Sequence, residues 1–476
     1  MNAHVRRTFY LFVAGFVALV GMLAYWQVYA RESLANNPEN GLQTQRSIQT
    51  PRGLILAGDG ETVLAESVRR KTESGPVYDR VYPQGEAFAN VVGYWSVKYG
   101  ATGIEIGKNS DLSGTSEPAT LDALINQMSG GPTPGNNVVL TLDPQLQSIA
   151  YEGLATSVTG RGAVVAVDPN NGEILALASS PSYDPNNIDE TFPQLSSDPD
   201  APLVDRAIQS LYPPGSTFKV VTAAAALKAG LSPSYVFNDD GTYELPGYTV
   251  VNYKGREYGR VTFTQALVFS INAIFAKIGV EIVGAQALAQ TAYDFGFGDS
   301  YSDFPLPVTA SNLGPPPSTW TPGTLAQNSF GQGPASSNAF EMALVAATIA
   351  NDGKIMEPRL VREVRSPDGI ILDRPAPSVR HEPLDASTAR TLNGMMQRVV
   401  TEGGLTVAEI PGVKVAGKTG TAETAEAPHS WWITFAPADD PKIAVCAMVE
   451  NGGEGDDAAL PIADQVMTAY LMGEGR

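Results

Sequence analysis

The strongest constraint on this chain is an unbroken apolar run near its start. Phe9 to Val28 carries no charge, and Gln27 is its only strongly polar member. At ~1.5 Å of rise per residue, a helical run of about 20 residues matches a bilayer hydrocarbon core of ~30 Å. His4, Arg6 and Arg7 precede it, so the positive-inside rule leaves the amino terminus in the cytoplasm. Tyr25, Trp26 and Tyr29 then fall in the interfacial belt on the far side. Val28-Tyr29-Ala30 would pass as a signal-cleavage site, but the run exceeds the ~7–15 apolar residues usual in a cleaved signal. A retained anchor is therefore expected, with everything after Arg31 outside the cytoplasm.

No later stretch approaches that length, so a single pass is expected. With 476 residues the chain is too long for one core and should form two domains or three. A formal charge of −19 repels phosphate backbones and argues against nucleic-acid partners. The single cysteine, Cys446, excludes an intrachain disulfide. Its setting, Ile443 to Val449, reads as a buried strand. The three histidines, His4, His381 and His429, cannot build a closed Cys/His zinc site with one cysteine. A Ser-His-Asp triad would have to draw on one of those three.

Glu32 to Gly135 is irregular, with a strand–turn–strand candidate around Ala57–Gly60. This segment reads as a small pedestal of strands and loops. Ser129–Gly135, rich in Gly and Pro, is the clearest boundary. From Asn136 the texture is regular α/β. Val138–Leu142 reads as a strand, and Asp143-Pro144 as the N-cap and first position of a helix through Leu154. Ala163–Val167 and Glu173–Ala178 flank the turn 168–172 as an antiparallel hairpin. Helices are expected from Thr217 to Ala229, stopped by Gly230, and from about Phe340 to Ala350. Val413–Ala416, Ser430–Phe435 and Lys442–Glu450 are strand candidates, followed by a closing helix from about Ala459 to Met472.

Three short motifs carry chemistry. In Tyr212–Val220, Pro213, Pro214 and Gly215 forbid helix before Ser216, while the residues after it favour one. Ser216 is thus expected at a helix amino terminus, where N–H groups and the macrodipole stabilise an oxyanion. Lys219 lies one turn along the same face, and a neutral amine there could take a hydroxyl proton. By itself the pair is equally an N-cap serine beside a surface lysine. Ser270 and Asn272 come well downstream of that pair. In one continuous helix, positions i and i+2 face ~200° apart. They converge only across a break between helices of roughly Phe263–Phe269 and Ala273–Lys277. Alone they are an ordinary polar patch. The third motif, Lys414–Ala422, reads as a strand whose end carries Gly417 and Gly420, so that another backbone can approach. Lys418, Thr419 and Thr421 would suit a carboxylate lying along that edge. Gly412–Thr419 also spells the phosphate-binding P-loop, G-x-x-x-x-G-K-T. That motif needs a loop feeding a helix, whereas Val413–Ala416 alternates like a strand.

In this order and spacing, S-x-x-K, S-x-N and K-T-G resemble the signature of penicillin-binding proteins and serine β-lactamases. The wider match is to class B penicillin-binding proteins of the compact PbpA/FtsI-like kind. It rests on Tyr212–Lys219, Gly331-Gln332-Gly333 before a helix, Lys418–Glu423, Phe435–Pro437, Arg52-Gly53 with Asp59-Gly60 and Leu64-Ala65, and Gly103–Glu105 ahead of Leu112–Gly114. The resemblance implies an α/β (α+β) fold with a central antiparallel sheet flanked by helices, a β-rich pedestal and one transmembrane helix. It divides the chain into a cytoplasmic tail 1–8, an anchor 9–29, a pedestal 30–135 and a transpeptidase domain 136–476. The implied activity is peptidoglycan D,D-transpeptidation through a Ser216 acyl-enzyme that penicillin would also form. Lys219 is the implied base, and Ser270 the shuttle to the leaving amine. Asn272 would hydrogen-bond the peptide amide, Lys418 would set the local potential, and the Thr419 and Thr421 hydroxyls would bind the terminal carboxylate, with Gly420 beside them in the substrate-binding stretch. The Ser216 and Thr421 backbone N–H groups would form the oxyanion hole. His429 receives no role, and neither metal nor cofactor is implied. Implied partners are stem peptides, β-lactams and a SEDS-type glycosyltransferase, with other division or elongation proteins, at the plasma membrane. The segment from Glu32 to Gly135 is too short for an added glycosyltransferase domain. Rival readings are a D,D-carboxypeptidase, a class D-like β-lactamase, and a silent peptidoglycan-binding scaffold.

Overall fold

In the computed structural model, residues 3–25, 48–73, 75–116 and 133–473 are described. The apolar run forms helix α1, Ala3–Ala24, and its window Arg6–Leu23 is long and apolar enough to cross a membrane. Trp26, Val28, Tyr29 and Ala30, and with them the end of the run and the cleavage-like site, lie outside the described residues. So does the first part of the Gly/Pro boundary, 129–132.

After α1 come strands β1 (Ile55–Leu56), β2 (Val63–Thr72), β3 (Gly75–Val81) and β4 (Asn137–Leu140). Helix α2, Pro144–Ala155, starts as its sequence dictates. Asp143 accepts hydrogen bonds from the backbone N–H groups of Gln145 and Leu146, and Pro144 takes the first helical position. The expected hairpin follows as β5 (Gly162–Val167) and β6 (Ile174–Ser180). Ser216 opens helix α3, Lys219–Lys228, from within a 3₁₀ turn at Gly215–Phe218, a tighter entry than the α-helix expected from Thr217. Strands β7 (Val236–Asp239) and β8 (Gly259–Thr262) precede helices α4 (Phe263–Val268) and α5 (Asn272–Lys277). Beyond them lie α6 (Ala339–Ala350), β9 (Val361–Arg365), β10 (Ile371–Asp373) and α7 (Ala386–Glu402). Strands β11 (Ala416–Ala422), β12 (His429–Ala436) and β13 (Ile443–Val449) and helix α8 (Ala459–Gly473) complete the order.

One expectation is corrected here. The strand expected over Val413–Ala416 begins only at Ala416 and runs on to Ala422, so Lys418-Thr419-Gly420 lies in the middle of β11 and not at a strand's end. Pairing with β12 begins only at Ala416 opposite Phe435, and Val413 merely bridges Ile410 in a turn. The apolar alternation before the motif belongs to that turn. The strand itself is small and polar, and tertiary pairing makes it β. Its extended conformation also excludes the P-loop, because no helix follows Gly417-Lys418-Thr419.

β11, β12, β13, β5 and β6 form a five-stranded antiparallel sheet in that order. Side chains on one strand alternate between two faces. Val165 and Val167 pack toward α6, with Phe340 and Leu344. Val164 and Ala166 pack toward α2 and α8, with Leu154, Ala463 and Val466. Both faces are thus covered, so Ile443–Val449 is buried at every position, Cys446 included. At ~1.5–3 kcal/mol for each large side chain buried, these two layers are the main source of stability. A second, six-stranded sheet runs β10-β9-β4-β1-β2-β3. β4 lies parallel to β1, with Ile55 opposite Val138, and antiparallel to β9, with Val361 opposite Leu140. This sheet joins strands from distant parts of the sequence and crosses the Gly/Pro boundary.

Candidate active site

The turn that carries Ser216 is held from two sides. Gly215, at φ +55, donates its N–H to Gly331 O at 2.9 Å. A Cβ built on Gly215 would lie 2.7 Å from Thr421 O on β11, and one on Gly420 would lie 2.8 Å from Thr217 Cγ2. The two segments therefore meet backbone to backbone, which only glycine permits. Ser216 is half-buried. It stands in the opening 3₁₀ turn, ahead of the first residue of α3.

Lys219 and Lys418 are both fully buried, and neither has a carboxylate within salt-bridge distance among the described residues. The Ser270 hydroxyl lies between them, 3.1 Å from Lys219 Nζ and 3.0 Å from Lys418 Nζ. Ser270 reaches that place because the chain breaks there. α4 ends at Val268, Ser270 takes φ +56, and α5 starts at Asn272. A left-handed serine is costly for the backbone. Its effect is to turn Ser270 and Asn272 toward one amine, which no continuous helix could do. Lys219 Nζ also donates to Ser270 O at 2.7 Å and to Asn272 Oδ1 at 2.7 Å. Lys418 Nζ donates to Thr419 O at 2.9 Å and approaches Thr419 Oγ1 at 3.5 Å.

Two amines in one dry site cannot both stay charged. Burial, and then the Lys418 charge, push Lys219 well below the usual amine range. Burial lowers Lys418 to about 7, and Asp456 partly offsets this. The hydrogen-bond inventory agrees with a neutral Lys219. Its two N–H groups meet two acceptors, the Ser270 carbonyl and the Asn272 amide oxygen. Its lone pair meets the Ser270 hydroxyl. An ammonium on Lys418 has three donors and finds three oxygens. The trio can therefore pass a proton along Lys418–Ser270–Lys219. Ser216 Oγ is not among the hydrogen-bond partners of Lys219, which are Ser270 O, Ser270 Oγ and Asn272 Oδ1.

On β11, Thr419 and Thr421 share a half-exposed face, while Lys418 and Gly420 are buried. Thr421 Oγ1 donates to Glu454 Oε2 at 3.0 Å and accepts from Gly455 N at 3.2 Å. The other Glu454 oxygen accepts from the Tyr253 hydroxyl. Sequence reasoning missed Glu454 and Tyr253, which are far apart along the chain; nothing local marks either. His429 lies edge-on to Tyr212 at 5.2 Å, and its Nδ1 accepts from Asn451 N at 3.0 Å. That Tyr212 hydroxyl donates to Glu450 at 2.5 Å.

Residues 162–468 match the penicillin binding protein transpeptidase domain. The chain belongs to the penicillin-binding protein transpeptidase family. Residues 52–138 of this penicillin-binding protein match the penicillin binding protein A dimerisation domain. Among its relatives, the peptidoglycan D,D-transpeptidase PbpA of Mycolicibacterium smegmatis is 35% identical, with 99% of each chain aligned. PbpA of Mycobacterium tuberculosis is 36% identical over the whole of both chains. The crystal structure of PBPA from M. tuberculosis superposes with a TM-score of 0.83 at 35% identity, covering 89% of this chain and 100% of that one. Its ceftriaxone acyl-enzyme complex gives 0.84 at 34% identity, covering 90% and 100%.

Proposed function

We propose that this penicillin-binding protein is a peptidoglycan D,D-transpeptidase that cross-links stem peptides and is acylated by β-lactams. The observation that carries the reading is the Ser270 hydroxyl, held between two buried amines at the break of a helix, one strand away from the Ser216 turn. Ser216 Oγ attacks the carbonyl before the terminal D-alanine, and Lys219 takes its proton. The Ser216 and Thr421 N–H groups stabilise the resulting oxyanion. Ser270, bonded to both amines, returns a proton to the departing nitrogen as the C–N bond breaks and an ester to Ser216 remains. An acceptor amine then attacks that ester and frees the serine. Asn272 bonds the peptide amide, and Lys418, Thr419 and Thr421 receive the terminal carboxylate. Gly420 keeps β11 close enough to the turn for that line of contacts.

The same reading assigns α1 as a retained anchor with the amino terminus cytoplasmic, residues 30–135 as the pedestal and 136–476 as the catalytic domain. A SEDS-type glycosyltransferase is the proposed membrane partner, met through anchor and pedestal. The test is intact mass spectrometry of the full chain after penicillin. One adduct on Ser216 that persists for minutes, and none in folded Ser216→Ala, is expected. Labelling of the alanine variant would reject the nucleophile, and rapid loss of the adduct would identify a β-lactamase. Release of D-alanine without cross-linked product, with an acceptor peptide present, would identify a carboxypeptidase.

A further inference from the structure

Helix α5 begins at Asn272 without a cap of its own, because Ile271 before it supplies no side-chain acceptor. The acceptor comes from a distant segment. Asn252 Oδ1 accepts the backbone N–H of Ala273 at 2.9 Å. The neighbouring carbonyl, Val251 O, faces Asn272 Nδ2 at 3.4 Å. Two consecutive residues, the last of the strand Tyr248–Val251 and the one that follows it, thus grip two consecutive residues of the helix start. The grip is itself fixed. Asn252 Nδ2 donates to Asp239 Oδ1 and Oδ2 at 3.0 and 2.9 Å, and to Arg256 O at 2.9 Å. Asp239 also accepts from Tyr258 N at 2.9 Å. Asp239 and Asn252 are 2% and 3% exposed. Only one orientation of the Asn252 amide satisfies this surround, with an N–H donor on one side and a carboxylate and a carbonyl on the other. Reversal would set its oxygen against Asp239 and its NH₂ against the Ala273 N–H, leaving buried groups unpaired.

We propose that Asn252, oriented by Asp239, is a positioning residue that fixes the start of α5 and thereby where Asn272 meets the Lys219 amine and an incoming peptide amide. The inference rests on the transpeptidase reading above. Asn252 lies in the loop that leads to β8, well ahead of Asn272 in the chain, and it acts through Asn272 Oδ1, which is 2.7 Å from Lys219 Nζ. The groups facing that amine are Lys418 from β11, Ser270 and Asn272 from the broken helix, and the Phe275 ring at 5.5 Å. An acceptor on Lys219 favours its charged form. Letting Asn272 drift therefore lowers the pH at which Lys219 loses its proton, while spoiling the alignment that speeds reaction.

The experiment uses the full chain in detergent and measures the rate of Ser216 acylation by a fluorescent penicillin from pH 5 to 9, with the melting temperature alongside. Acylation of the unaltered chain tests the transpeptidase reading; the ratio of each variant to it tests this inference. Asn252→Ala is expected to slow acylation per folded molecule by about tenfold to a hundredfold and to move the rising limb of the pH profile downward. Asn252→Asp alone sets two carboxylates together and should be as slow. Adding Asp239→Asn restores one donor–acceptor pair in exchanged places and keeps an oxygen for the Tyr258 N–H, while the Arg256 carbonyl loses its donor. The double variant should return to within about threefold of the starting rate. Should Asn252→Ala fail to fold, the exchange pair decides. An Asn252→Ala protein with an unmoved pH limb and a normal rate per folded molecule overturns the proposal. So does a double variant no faster than the single one.

Discussion

Ser270 Oγ is the atom at which the two buried amines meet, and their protonation sets the working range of the site. In the proposed mechanism, acylation needs Lys219 neutral and Lys418 charged. The rate should rise as Lys219 loses its proton, well below the ordinary lysine range, and fall as Lys418 loses its own near 7. Lys418→Arg keeps the charge at any accessible pH and should extend the plateau beyond pH 8 in a penicillin-acylation profile. An unchanged falling limb would clear Lys418 of that role. Glu341 carries the opposite sign. It is fully buried, one oxygen accepts from the Tyr301 hydroxyl at 3.0 Å, and the other has no partner among the described residues. Burial pushes this carboxyl from 4.5 up to about 8. Across that window the folded chain keeps a proton that the unfolded chain has released, so stability falls as pH rises from 4.5 to 8. Glu341→Gln cannot ionise. It should flatten the decline of melting temperature over that range, with a gain of about 1–3 kcal/mol at pH 8.

Three elements make the site, and two of them depart from regular geometry where the chemistry lies. α4 and α5 are one helix interrupted at Ser270, and the Ser216 turn is pressed against the edge strand β11. At Gly420 an added methyl would meet Thr217 Cγ2 at 2.8 Å, Trp431 Cβ at 2.9 Å and Pro214 O at 3.0 Å. Gly420→Ala should push β11 from the turn, with an acylation rate down by about a hundredfold and a stability loss of ~1–3 kcal/mol in thermal unfolding. Normal labelling by that variant would show the contact to be slack. Much of this was legible in sequence. Ser270 and Asn272 serve one centre only across a helix break, and proline and glycine before Ser216 leave no room for a longer helix. What escaped was whatever depends on partners far along the chain. Asn252 and Asp239 look like loop residues until Ala273 is placed beside them, and Glu454 looks like a surface acid until Thr421 is. β11 was misplaced for a related reason. Its strand character comes from β12, and a run of Gly, Lys and Thr has no such preference of its own.

Strands from residues 55–81, 137–140 and 361–373 share the six-stranded sheet, in which β4 lies between β1 and β9. Buried Glu105 takes Arg52 at 2.8 Å and Arg80 at 2.5 Å, with all three side chains nearly shut off from water. Burial raises the Glu105 carboxyl, but the two guanidiniums outweigh it and the net direction is down. Glu105→Ala would strand two cations in the interior, a loss of about 3–5 kcal/mol. Because strands 55–81, 137–140 and 361–373 are hydrogen-bonded in one array, that loss should lower the temperature of a single calorimetric transition. Two separated transitions would show that the halves melt independently.

The parallel pairing of Ile55 with Val138 also dictates how the gene can be dissected. A fragment begun at Asn136 would keep every residue of the acylation centre yet expose the flank of Val138–Leu140 as a raw, apolar edge, the kind that seeds aggregates. Such a fragment should accumulate in inclusion bodies, while one begun ahead of Arg52 should stay in solution.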